Sequence, residues 1–240
     1  NVAGRTSATI LDITDAPTVN RLNVSGTQNV TIKVGLDDVD GLGSSTTTIA
    51  DDNLLTIANT STGTVTLWVK SSGGDADFSA ASVSSILLAA DMGISDDLTI
   101  ASGTSIVSAV DQTYDLSLTA KNASNTNNSV SISVQNNSAS NVSGDLSGGI
   151  TLTSFNSATL TNNDTDAAAY VGAISASGTD FTIASGTQGF IESSTIAIGS
   201  GTLYISGTGP VNLGTQVTAT QVSAASSSGI ITIGLAGAAT

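Results

Sequence analysis

Apolar and polar residues alternate with period two along most of the chain, which is the signature of strands whose two faces see different surroundings. The clearest case is LLTIANTSTGTVTLWV at 54–69. Leu55 and Ile57 alternate with Thr56 and Ala58, and Val65, Leu67 and Val69 with Thr64, Thr66 and Trp68. The intervening NTSTG holds Asn59 and Gly63, residue types that tolerate positive φ, so the stretch predicts a β-hairpin. Similar runs occupy 6–14, 22–34, 96–106, 113–120 and 129–134. From Gly144 onward short runs such as GITLTSF, DFTIASG, TLYISG and GIITIGL recur between turns. Only 78–90, FSAASVSSILLAA, has a composition that suits a short helix, and a strand fits it nearly as well.

Many short strands separated by turns predict an all-β fold, a jelly-roll-like antiparallel β-sandwich. Residues 16–240 form its single body, with 1–15 set apart as an N-terminal strand before Pro17. The phrase TIASGT appears at 99–104 and again at 182–187, with TIANTS at 56–61. A separation of 83 residues between the first two is too wide and irregular for the short fixed period of a solenoid. Convergence on a favourable strand-and-turn phrase is the reading adopted.

Composition narrows the chemistry. Aromatic residues are 3% of the chain and the apolar total is 39%, so the core must be built from Val, Ile, Leu and Ala. Charged residues are 10%, less than half the usual share, and hydroxyl and amide side chains take their place. That surface suits secreted adhesins, surface layers and pili. The net charge of −14 makes nucleic acid and anionic membranes poor partners. No apolar run is long enough to span a bilayer, so no membrane span is expected. Asn1 is read as the start of a mature chain after removal of a secretion signal, with a cloned fragment as the alternative.

The chain has no His and no Cys, and Glu192 is its one glutamate, which removes a Ser-His-Asp triad, a thiol nucleophile and a His-ligated zinc. No catalytic residue and no resident cofactor are expected. The metal that merits consideration is calcium. In LDDVDG, Asp38, Asp40 and Gly41 have the spacing of the latter part of a calcium loop, with Asp37 beside them. Leu36 stands where the first ligand should be, and solvated turn aspartates are the competing reading. Asp51 with Asp52, Asp75 with Asp77, and Asp91 with Asp96 and Asp97 form further acidic groups. Asn23, Asn29, Asn59, Asn122, Asn127, Asn136, Asn141 and Asn163 each begin an N-x-[ST] sequon, which makes them glycosylation candidates in an exported protein.

Few lysines and only Pro17 and Pro210 are available to blunt strand edges. An extended terminal segment can fill such an edge in a neighbouring molecule. Residues 1–14 suit that role, with Ala8, Ile10, Leu11 and Ile13 as the donated strand. The same residues serve equally well as the first strand of the chain's own sheet.

Taken in order, GRTSATILDIT, NLLTIANTSTGTVTLWV, DDLTIASGTSI and YDLSLTAKN resemble the succession of phrases in TasA-like secreted filament subunits and the related archaeal bundling pilins. The resemblance covers roughly residues 5–121. It implies a jelly-roll sandwich and an extracellular, cell-surface protein. It also implies a helical homopolymer of identical copies, joined head to tail by donor-strand complementation and able to bundle laterally in a biofilm or pilus. The alternative is a calcium-dependent surface-layer or adhesin domain acting through its acidic loops.

Overall fold

The computed structural model describes residues 9–13, 21–35, 55–71, 75–93, 97–135, 145–164, 167–192, 194–214 and 216–234. Among these there is no helix, and the strands follow one another as β1 (Thr9–Asp12), β2 (Arg21–Val24), β3 (Val30–Gly35), β4 (Thr56–Asn59), β5 (Val65–Ser71) and β6 (Ala76–Asp77). Next come β7 (Ser85–Leu88), β8 (Asp97–Ile100), β9 (Thr104–Ser108), β10 (Leu116–Ala120), β11 (Ser129–Val134) and β12 (Ile150–Thr153). They continue as β13 (Ser157–Asn162), β14 (Ala169–Val171), β15 (Ile174–Ser175), β16 (Asp180–Ala184), β17 (Phe190–Glu192) and β18 (Thr195–Ala197). The series closes with β19 (Thr202–Gly207), β20 (Val211–Leu213), β21 (Gln216–Thr218), β22 (Gln221–Ser227) and β23 (Ile231–Ile233).

Every strand pairing among the described residues is parallel, and this overturns the antiparallel jelly-roll sandwich. The chain is a β-solenoid. A ten-stranded sheet runs β1-β3-β5-β7-β9-β11-β13-β16-β19-β22, and a seven-stranded sheet runs from β6 to β21. The short pair β2-β4 continues the second side, because Leu55 donates its N–H to the carbonyl of Asp77 and Ile57 bridges to Ala81. The third side holds β14-β17-β20-β23 and is extended by the bridge between Leu146 and Val171 and by the N–H of Gln112 on the Asp145 carbonyl.

Period-two alternation is common to parallel and antiparallel strands, so the pattern alone leaves strand direction open. Direction is set by where the next pairing partner lies. The predicted hairpin at 54–69 is not one: β4 pairs with β2, whereas β5 pairs with β3 and β7. The turn between them is a corner from one side to another. Parallel neighbours need a long crossover, and here the other two sides of the coil supply it. The candidate helix at 78–90 contains strand β7.

Stacking coils in register places like residues over like. One inward row of the long sheet reads Leu11, Ile32, Leu67, Ile86, Ile106, Ile132, Leu160, Ile183, Ile205, each the register partner of the next. From Ile32 to Ile205 these are at most 2% exposed. On the second side Leu116, Ile150, Ile174, Ile196 and Val217 form a matching row. Each aliphatic group gains contacts above and below as well as across the coil, which is how a chain poor in aromatics still fills a core.

Candidate functional site

Among the described residues the acidic groups are not gathered into a centre. Asp75 Oδ1 accepts the N–H of Asp97 at 2.8 Å, and Asp180 Oδ1 that of Thr202 at 2.9 Å. Asp145 Oδ1 accepts the N–H of Tyr170 at 2.8 Å, and Asp91 Oδ1 that of Thr113 at 2.9 Å, with the Thr113 hydroxyl donating to the same carboxylate. Each of these carboxylates reaches forward into the next coil, so these aspartates bracket successive coils together. Sequence reading marked Asp75 and Asp91 as turn acids and did not single out Asp145 or Asp180; the forward reach of all four needed the coil spacing to be seen.

Asp77 and Asp97 are the two with shifted acidity. Burial works against ionisation of Asp77, but hydrogen bonds from Lys121 and from the Ser79 side chain and N–H outweigh it and hold its carboxyl below the ordinary value. Burial pushes Asp97 up, and the Asp75 charge adds to this, while the hydroxyls of Thr119 and Ser117 work in the other direction. Among the described residues no three acidic groups converge in a way that holds a metal. The calcium candidates Asp37, Asp38 and Asp40 lie outside the described residues.

Three buried amide side chains, Asn162, Asn128 and Gln112, are committed to the corners. Asn162 donates through Nδ2 to the carbonyls of Gly189 and Ala167 and accepts the N–H of Asp164. Asn128 donates to the carbonyls of Asn122 and Ser154, and Gln112 to those of Ala90 and Val110. These residues answer backbone groups that would otherwise be buried without partners, which leaves them no spare valence for chemistry. Sequence reading missed all three, since an Asn or Gln in a polar-rich turn gives no sign of burial.

Of the sequons, Asn23, Asn29, Asn122, Asn127 and Asn163 are exposed and Asn59 is half-buried. Asn29 Oδ1 accepts the N–H of Thr64, and Asn59 Oδ1 accepts both the N–H and the hydroxyl of Ser61. Asn136 and Asn141 lie outside the described residues.

Of the donated-strand candidates, Ala8 lies outside the described residues. Ile10 and Leu11 belong to β1, which runs parallel to β3 of its own chain, with Ile10 beside Thr31 and Leu11 beside Ile32. Ile13 donates its N–H to the Lys33 carbonyl at 3.0 Å. The terminal ribbon is thus the first rung of its own solenoid. What remains as a surface with assembly chemistry is the pair of ends of the long sheet, β1 and β22, each paired on one side only among the described strands.

No family model, no curated protein and no solved structure matches the chain. Nothing in these comparisons identifies a TasA-like family, and the sites stand on geometry alone.

Proposed function

We propose that this chain is a structural subunit of a secreted extracellular filament, a three-sided rod that associates with copies of itself end to end. The observation that carries the reading is that the parallel sheet of ten described strands leaves β1 and β22 each paired on one side only. Strands that all run one way can be continued by a neighbour's strands with no change of direction. Such head-to-tail contact is heterologous and extends without limit unless its rotation closes a ring. Because β1 is already seated on β3, the junction in this reading is an addition of edge to edge and not the donation of a whole strand. The hydroxyl and amide surface and the exposed sequons support export, and Asp75, Asp77, Asp91, Asp97, Asp145 and Asp180 and the buried amides Gln112, Asn128 and Asn162 are engaged in structural hydrogen bonds. Negative-stain imaging of purified chain should show fibres about as wide as one coil. Isolated short rods that stay monomeric in sedimentation as concentration rises would overturn the reading.

A further inference from the structure

We infer that rods of this chain associate side by side, the long-sheet face around Trp68 of one copy packing on the Tyr114–Tyr170 edge of a second copy. The inference rests on the self-association of the filament reading and names the lateral surfaces that this leaves unassigned.

The first surface interrupts a sheet face that is otherwise rich in hydroxyls. Register sets Trp68 beside Leu87 and Leu87 beside Val107, so three half-buried apolar side chains stand on the successive rungs β5, β7 and β9. The ammonium of Lys33 lies 4.6 Å from the centre of the Trp68 ring, and Lys70 stands two residues beyond Trp68 on the same face. Lys70 also meets Asp12 at 3.5 Å, but the two side chains are 40% and 48% exposed, so that pair holds Lys70 weakly. The indole N–H of Trp68 is shielded from solvent and has no acceptor among the described residues, an orphan donor of the kind native structures rarely leave.

The second surface is acidic and aromatic. Asp91, Asp111 and Asp145 follow one another on successive coils along the third side. The N–H of Thr113 reaches Asp91, the hydroxyl of Ser147 reaches Asp111, and the N–H of Gln112 reaches the Asp145 carbonyl. Tyr114, 44% exposed, and the exposed Asp115 come just after Asp111, and Tyr170, 38% exposed, is bonded through its N–H to Asp145. No Lys or Arg occurs between residues 71 and 120 or after Lys121, so this edge has no positive charge of its own.

A second copy fits for three reasons. Five basic residues stand against nineteen acids, so unmatched faces of two rods repel each other, and Lys33 with Lys70 against the aspartate row is a pairing that relieves this. The spacing also agrees. Lys33 and Lys70 belong to adjacent rungs, and Asp111 and Asp145 to adjacent coils, of rods that share one rise of about 4.8 Å. Trp68 on one surface and Tyr114 and Tyr170 on the other are the amphipathic anchors that interface centres favour, and the second surface brings acceptors of the kind the Trp68 N–H lacks. Because the two surfaces differ, the contact is heterologous and repeats sideways into a bundle.

Charge exchange tests the pairing, with Trp68 as reporter because it is the chain's one tryptophan. Full-length Lys33→Glu/Lys70→Glu and Asp111→Lys/Asp115→Lys are compared with the natural chain by electron microscopy, light scattering and Trp68 emission. Asp115→Lys alone, at an exposed position, replaces the second variant where the double substitution lowers the melting temperature. At low ionic strength the natural fibres should lie in bundles with Trp68 emission shifted to shorter wavelength, and added salt should disperse them. Each reversed variant should keep its melting temperature and bundle at least about tenfold more weakly, and an equimolar mixture of the two should bundle again. Reversed variants that bundle like the natural chain, or a mixture that stays dispersed, would overturn the inference. Fibres one rod wide at low ionic strength with unshifted Trp68 emission would overturn it and leave the filament reading standing. Paired rods that never lengthen would overturn the filament reading and leave the lateral contact standing, and a chain that stays monomeric throughout would overturn both.

Discussion

Asp77 and Asp97 sit on neighbouring rungs of one side and respond to acid in opposite senses. Asp77 has its folded acidity strengthened below the ordinary value of 3.8, so it contributes stability above that pH and loses the contribution as pH falls through its folded value. Asp77→Asn should therefore lower stability at neutral pH by about 1–2 kcal/mol, the usual loss of a charge-assisted bond whose Lys partner is largely in solvent. The difference should vanish in strong acid, as thermal melts across the range will show. Asp97 is raised, so its favourable contribution is complete below 3.8 and is lost as pH rises through its folded value. Asp97→Asn should melt higher than the natural chain at pH 7 and no higher near pH 3; a lower melting temperature at neutral pH would contradict the assignment. Leu160→Ala, in the middle of the aliphatic row, should cost about 2–5 kcal/mol in denaturant unfolding, as core truncations do.

At the level of elements, the strands were legible and their partners were not. Val65, Leu67 and Val69 announced a strand facing two ways, and β5 is that strand. The turn chemistry at Asn59 and Gly63 was also read correctly as a turn, but a corner between two sides uses the same residue types as a hairpin. The repeated TIASGT shows why the period was missed. Its first copy leads from β8 on the second side into β9 on the long sheet, and its second leads from β16 on the long sheet toward β17 on the third side. The copies mark different corners, so the distance between them is no multiple of a coil. Coil lengths also vary, with Thr66 facing Ser85 but Val30 facing Val65. Corners have their own requirements. Gly189 has φ +92°, and an added Cβ would lie 2.0 Å from the Pro210 carbonyl oxygen in the next coil. Gly103 has φ +80° and open space around it. Gly103→Ala should cost only the conformational term of about 1 kcal/mol, whereas Gly189→Ala should cost clearly more and shift the adjoining coil, measurable as lost amide-exchange protection at Phe190 and Val211.

The whole molecule inherits its length from stacking. Ten strands at about 4.8 Å give the long sheet a span of about 43 Å along the rod, which small-angle scattering of the dispersed subunit should recover as an elongated particle. The class of fold, all-β, could be read from β-branched alternation and scarce aromatics. The architecture could not, because a solenoid is defined by which strand lies above which, and hydroxyl-rich strands offer few distinctive residues to mark that order. The terminal ribbon shows the same ambiguity: Ile10, Leu11 and Ile13 have a strand's pattern whether they join their own sheet or another's, and the register with Thr31 and Ile32 decides for their own.

One consequence concerns force. In this arrangement the hydrogen bonds between rungs point along the rod, so tension applied at the two tips loads them one rung at a time, like a zip, and not all together in shear. Stretching would then proceed by release of single turns of chain. A turn such as that from Ile86 to Ile106 pays out on the order of 60–70 Å of slack. A rod built this way yields under load turn by turn and dissipates work before it parts.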